Sequence, residues 1–185
     1  MKVLVACEFS GTVRDAFLRK GHEAVSCDLL PTESPGPHIE GDCIPVIRRG
    51  GWDLIIMHPP CTALAASGNR WYAKGAPGYA ERLQAIEWTM DLWFLAVETA
   101  SRVCLENPVG VLPMLPAQYI QPWFFGHDEQ KKTGLWLKNL PPLMSSEIVG
   151  IRKQSLHGLG PSEDRWKLRS KTFDGVAEAM AGQWG

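Results

Sequence analysis

The chain has 185 residues, enough for one domain with a substantial core. Apolar residues make up 45%, charged residues 21%, and the formal net charge is -1, which argues against a protein that coats nucleic acid by bulk charge yet leaves room for a local basic groove. No apolar run reaches bilayer length, and the opening MKVLVACEF reads as a first strand and not a signal peptide, so a cytoplasmic protein is expected.

KVLVACEF predicts a buried strand, and SGT breaks it. VRDAFLRKG follows with helical spacing, with Val13, Ala16 and Phe17 on one side. Ser10 or Thr12 is placed to cap this helix, and Gly21 to end it. EAVSCDLL predicts a second strand, with Asp28 near its end. PTESPGPH is turn-rich, and WDLIIM is another wholly apolar strand, as in a parallel sheet covered on both faces. From about Gly78 to Ala100 the spacing predicts a long helix with Leu83, Ile86, Met90, Trp93 and Val97 on one face. SRVCLENP predicts the next strand, ending in Glu106 and Asn107.

This alternation predicts an α/β protein with a doubly wound, mostly parallel, Rossmann-like sheet and helices on both faces. Further on, YIQPWFFG and GLWLKNL suggest two strands, possible antiparallel partners. Residues 144–172 read as an extended surface loop. FDGVAEAMAGQW predicts a closing helix with Val176, Ala179, Met180 and Gln183 at helical spacing. One domain is expected over 1–185: a core over 1–110, an irregular substrate-side segment over 111–172 and the closing helix over 173–185.

Five cysteines, an odd number with no CxxC pair, give no zinc or disulfide framework. Cys7, Cys27 and Cys104 lie in apolar runs and are expected to be buried thiols. Cys61 follows Pro59 and Pro60 at a strand end, where side chains leave the core, and two prolines fix the backbone there. In a sheet of this class ligands bind beyond the carboxyl ends of the strands. Phe9 to Gly11, Asp28, Asp42, Pro59 to Cys61 and Glu106 to Asn107 all fall there. A glycine turn such as EFSGT lets backbone approach a cofactor at a helix N-terminus, and an acid such as Asp28 can bind ribose hydroxyls. Glu106, between an apolar strand and Asn-Pro, is expected to be desolvated and held protonated. A thiol paired with such a carboxyl suits covalent attack on an electron-poor ring, such as a pyrimidine at C6.

FSG at 9–11, Asp28, GD at 41–42, PPC at 59–61 and ENP at 106–108 occur in the order of the motifs of C5-cytosine DNA methyltransferases, which the first 110 residues resemble. The resemblance implies S-adenosyl-L-methionine as cofactor and methyl transfer to C5 of cytosine through a covalent adduct of Cys61 at C6. Glu106 would then hydrogen-bond N3 and the exocyclic amine, with Asn107 and Pro60 bracing the site. Phe9, Ser10, Gly11 and Pro59 would border the cofactor, Asp28 would hold its ribose and Asp42 its adenine amine. The family has a second glycine where this chain has Val13, and usually valine where it has Pro108.

Members of that family are usually longer, with a recognition region late in the chain and an arginine-rich QxRxR strand. IQPWFFGHDEQKK is a distant counterpart of that strand, and RWKLRSKTF is the nearest arginine-bearing segment. The chain resembles a minimal core of the kind found in phage genomes and in restriction–modification systems, acting in a bacterial or phage-infected cytoplasm. The stretch 150–172 carries Arg152, Lys153, Arg165, Lys167, Arg169 and Lys171 against Glu163 and Asp164. Together with Trp166 it suits phosphate contact and base stacking, so weakly specific or single-stranded DNA is the expected partner. A protein partner that supplies target recognition is the other expectation. Two alternatives stand beside this reading: a pyrimidine C5-modifying enzyme with a nucleotide substrate or another one-carbon donor, and a non-catalytic nucleic-acid-binding relative.

Overall fold

A computed structural model describes residues 1–155, 160 and 165–185. Seven strands form one sheet: β1 (Lys2–Ala6), β2 (Glu23–Asp28), β3 (His38–Glu40), β4 (Leu54–Met57), β5 (Arg102–Pro108), β6 (Gln118–Ile120) and β7 (Thr133–Lys138). Their order across the sheet is β3-β2-β1-β4-β5-β7-β6. The pairs from β3 through β5 are parallel, whereas β7 runs antiparallel to both β5 and β6. The helices are α1 (Thr12–Arg19), α2 (Cys43–Arg48), α3 (Asn69–Tyr72), α4 (Tyr79–Thr99), α5 (Arg165–Ser170) and α6 (Asp174–Trp184). The result is a mixed α/β fold, a mostly parallel sheet flanked by helices.

The strands in the middle of the sheet are continuous apolar runs because both faces are covered. Val3 and Val5 of β1 pack with Phe17 of α1 and Met180 and Trp184 of α6. Leu4 and Ala6 of the same strand point the other way, towards Ile47 of α2 and Leu92 and Ala96 of α4. Period-2 alternation thus feeds two separate cores.

Several expectations are corrected. The face of α4 with Leu83, Ile86, Met90, Trp93 and Val97 is only partly buried, with Trp93 and Val97 against the core and Leu83 exposed, whereas its buried residues are Arg82, Thr89, Leu92 and Ala96. Apolar residues are spread over more than one face of the helix, and Arg82, which bonds to the chain beyond Cys61, lies on the inner one. Gln183 of α6 is exposed, and its side-chain amide accepts from Met144 N–H and donates to the Met144 carbonyl. The segment 111–172 is not wholly irregular, since β7 enters the main sheet beside β5, with Asn107 opposite Gly134. Nor is 144–172 all loop, because it holds α5. Part of that stretch, including Glu163 and Asp164, lies outside the described residues. No helix among the described residues is long and apolar enough to cross a membrane.

Candidate functional site

The strand order changes direction at β1: the chain builds β2 and β3 on one side, then returns to build β4 and β5 on the other. Such a reversal opens a crevice beyond the carboxyl ends of the strands, where ligands bind. His58 to Cys61, Glu106 and Asn107, and Cys7 to Gly11 follow or end those strands. Because β7 is antiparallel, its start also lies at this end, which brings Lys131 and Thr133 to Glu106.

Cys61 heads a tight turn in which its carbonyl accepts from the Leu64 and Ala65 amides at 3.1 and 2.8 Å. The chain beyond is stitched to the segment after β5: Ala66 N–H donates to the Val109 carbonyl and Val111 N–H to the Leu64 carbonyl, at 2.9 and 3.1 Å. The contact demands glycine at 110, where a Cβ would lie 2.1 Å from the Leu64 carbonyl oxygen. Asn107 adds a bond from Nδ2 to the Pro59 carbonyl at 3.0 Å. Arg82, buried in α4, donates Nε to the Ala63 carbonyl at 2.7 Å and other nitrogens to Asn69 Oδ1 and the Ala65 carbonyl. The turn with Cys61 and the end of β5 with Glu106 therefore form one braced unit.

Its electrostatics differ from expectation at Glu106. Burial pushes that carboxyl's pKa up, but His58, Lys131 and the Thr133 hydroxyl together pull it below the ordinary value. That direction runs opposite to the raised value expected of a desolvated acid. His58 Nδ1 stands 3.0 Å from Glu106 Oε2. The Cys61 thiol is half-buried and its pKa is raised: burial and the Glu106 charge push it up, and Lys131 and Arg169 pull it back. A small apolar cavity lies against Glu106, lined by Ile120, Lys131, Thr133, Phe173 and Val176. A wider groove borders Pro60, walled by Gln84, Ala85 and Trp88 of α4.

The residues expected to hold a cofactor are placed less uniformly. Gly11 has φ +77°, and a Cβ there would meet the Arg14 guanidinium at 2.4 Å. Arg14 is fully buried and bonds to Ser26, Thr32 and the Ser34 carbonyl, so it fills the space beside the glycine. Neither Ser10 nor Thr12 is the main cap of α1. Glu8, buried, accepts from Val13 N–H at 2.6 Å and Arg14 N–H at 3.2 Å, while Ser10 Oγ takes only Thr12 N–H. Phe9 is buried and its ring meets Trp166 of α5 at 5.8 Å. Asp28 is half-buried, with one oxygen taking Leu30 N–H at 3.0 Å. Asp42 is exposed and caps α2 by accepting from Ile44 N–H at 2.9 Å. Cys27 and Cys104 are buried as expected, but Cys7 is half-buried at φ 58°, its sulfur 3.8 Å from that of Cys43.

Of the basic residues, Arg169 acts on Cys61. Lys171 pairs with Glu33, Lys153 pairs with Asp128, and Arg152 lies over the Trp123 ring. Three residues of the site carried no sequence signal of their role: His58, Glu8 and Arg82. His58 bonds to Glu106, 48 positions away, Arg82 to Ala63, 19 positions away, and Glu8 to amides of the helix that follows it. No protein-family model and no curated protein matches the chain.

Proposed function

We propose that the chain is a pyrimidine C5-modifying enzyme, in the first place a methyltransferase acting on cytosine in DNA through a Cys61 adduct at C6. The observation that carries the reading is the bracing of the Cys61 turn against the Glu106–Asn107 strand end through Asn107 and the 64–66 to 109–111 bonds. Such bracing holds a nucleophile and an electrostatic partner in fixed relation, as covalent catalysis on a ring requires. The strand order β3-β2-β1-β4-β5 is that of the doubly wound dinucleotide-binding sheets, which supports a nucleoside-bearing cofactor at the crevice.

In this mechanism the Cys61 sulfur bonds to C6 as the C5–C6 double bond opens. Glu106 accepts from the exocyclic amine, and the proton released by the thiol neutralises the negative charge that develops at N3, from which it leaves again when the ring is restored. C5 is then the nucleophile that takes the new carbon. Loss of the C5 proton to a base and departure of the Cys61 thiolate restore the ring. The base must leave its stack to reach Cys61, which costs least in single strands.

S-adenosyl-L-methionine supplies an electrophilic methyl group when bound. The donor set fits its ribose, since Asp28 has acceptor capacity left at the end of β2. Phe9 and Pro59, both buried beside the crevice, fit an apolar wall. The fit is weaker for its carboxylate, because Glu8 already takes the first N–H groups of α1, and for its adenine amine, because Asp42 is engaged in the cap of α2. These two observations favour, as the second reading, the same C5 chemistry with another one-carbon donor.

Mass spectrometry of nucleosides from the DNA of expressing cells tests the proposal. 5-Methylcytosine that is lost with Cys61→Ala supports the first reading. Another C5-modified pyrimidine, with no calorimetric binding of S-adenosyl-L-methionine, supports the second. Unmodified DNA and nucleotide pools contradict both.

A further inference from the structure

His58 lies between the end of β4 and Pro59, with its backbone amide bonded to the Ala6 carbonyl at 3.0 Å. Its side chain is 8% exposed, and Nδ1 stands 3.0 Å from Glu106 Oε2. Its Nε2 is buried with no hydrogen-bond partner among the described residues. The ring's bond to Glu106 of β5 is one of the causes that lower that carboxyl. Glu8 is itself tied to the α1 amides, and burial pushes its pKa up against His58 and Arg14. The other ionisable groups around the pair are Lys131 before β7, which lowers Glu106, and the thiols of Cys61 and Cys104, which feel its charge. Lys131 acts through space, with its ammonium bonded to the Lys171 carbonyl at 3.2 Å. Among the described residues, His58 both bonds to the Glu106 carboxyl and carries an ionisable ring.

We propose that His58 is a positioning residue for Glu106. Nδ1–H fixes one carboxylate oxygen and holds the group ionised, and the second oxygen is thereby turned to face a ring amine. The part His58 plays in chemistry rests on the pyrimidine reading above; its hold on Glu106 does not. A buried carboxyl without such a partner takes up a proton instead of bearing its charge in a dry site.

The test uses the full chain with His58→Ala and His58→Asn, the second retaining a neutral N–H donor. Glutamate labelled at its side-chain carboxyl reports each titration by carbon NMR, with Glu106→Gln and Glu8→Gln assigning the signals. Loss of His58 should raise the Glu106 midpoint by about one pH unit or more. His58→Asn should give a smaller rise. Adduct formation with 5-fluorocytosine DNA should slow at least about tenfold in His58→Ala, with DNA affinity unchanged and partial rescue in His58→Asn. Circular dichroism establishes that each variant is folded, and the Asn variant carries the test if the Ala variant is not. An unmoved Glu106 midpoint in a folded variant overturns the hold on Glu106. A His58→Ala protein that reacts as fast as wild type overturns the positioning role. A wild-type chain that forms no adduct overturns the pyrimidine reading instead, and the titration still decides the link between His58 and Glu106.

Discussion

Asn107 donates its side-chain amide to the Pro59 carbonyl at 3.0 Å, joining the end of β5 to the turn that carries Cys61. The two residues are 48 apart in sequence, and both are buried. Asn107→Ala leaves the Pro59 carbonyl without its donor, at a cost of roughly 1–3 kcal/mol. Asn107→Asp sets an acceptor against an acceptor and should cost at least as much. Urea melts of the two variants give these values. In both, the rate of adduct formation should fall by a larger factor than DNA affinity does, because the bond aligns the site and does not touch the phosphates.

The Cys61 thiol should be slow to alkylate at neutral pH. Its pKa is raised by burial and by Glu106, so the thiolate fraction, and with it the rate, grows as pH rises through that value. Lys131→Met removes a charge that lowers the pKa, so the rate curve should move to higher pH. Glu106→Gln removes a charge that raises it, so the curve should move to lower pH. Iodoacetamide labelling read by peptide mass spectrometry checks both directions. Opposite shifts would mean that another group governs the thiol.

Arg82 spans from α4 to three acceptors on the chain beyond Cys61. Arg82→Ala strips two buried carbonyls of their donor and should destabilise the fold by roughly 3 kcal/mol. Arg82→Lys keeps a charge but not the planar fork, and should recover part of that loss. Thermal melts rank the three proteins. Hydrogen exchange should locate the loosened amides at Leu64 to Ala66, which follow the site turn.

The basic segment should act through charge and not through base readout. Neutralising Arg165, Lys167, Arg169 and Lys171 together should weaken DNA binding about equally for all sequences and flatten its salt dependence. Lys171 should contribute less than Arg169, since it is already paired with Glu33. Titrations with unrelated oligonucleotides at several salt concentrations check this, and strong preference for one duplex site would contradict it.

The strands were the most legible part of the sequence. β1, β4 and β5 are buried on both faces, and that burial writes continuous apolar runs such as LIIM into the chain. β3 and α2 left no such mark. β3 has three residues, and α2 has six with Pro45 among them. The capping role of Asp42 was not legible because the short helix that it caps was not. The inner face of α4 was misread because Arg82 and Thr89 are buried there while Leu83 and Phe94 face outward. At the site, Cys61, Glu106 and Asn107 were legible as residues at strand ends. The charge of Glu106 was not, because it is set by His58 and Lys131, which only the folded sheet brings beside it.

The central claim is that Cys61 bonds to C6 of a cytosine. Intact mass spectrometry after incubation with DNA containing 5-fluorocytosine and S-adenosyl-L-methionine tests it directly, since fluorine at C5 blocks release of the thiol. The account predicts a covalent protein–DNA species that maps to Cys61 in the wild-type chain and is absent in Cys61→Ala. A folded wild-type protein that binds the DNA yet forms no such species, or a species that persists in Cys61→Ala, would contradict it.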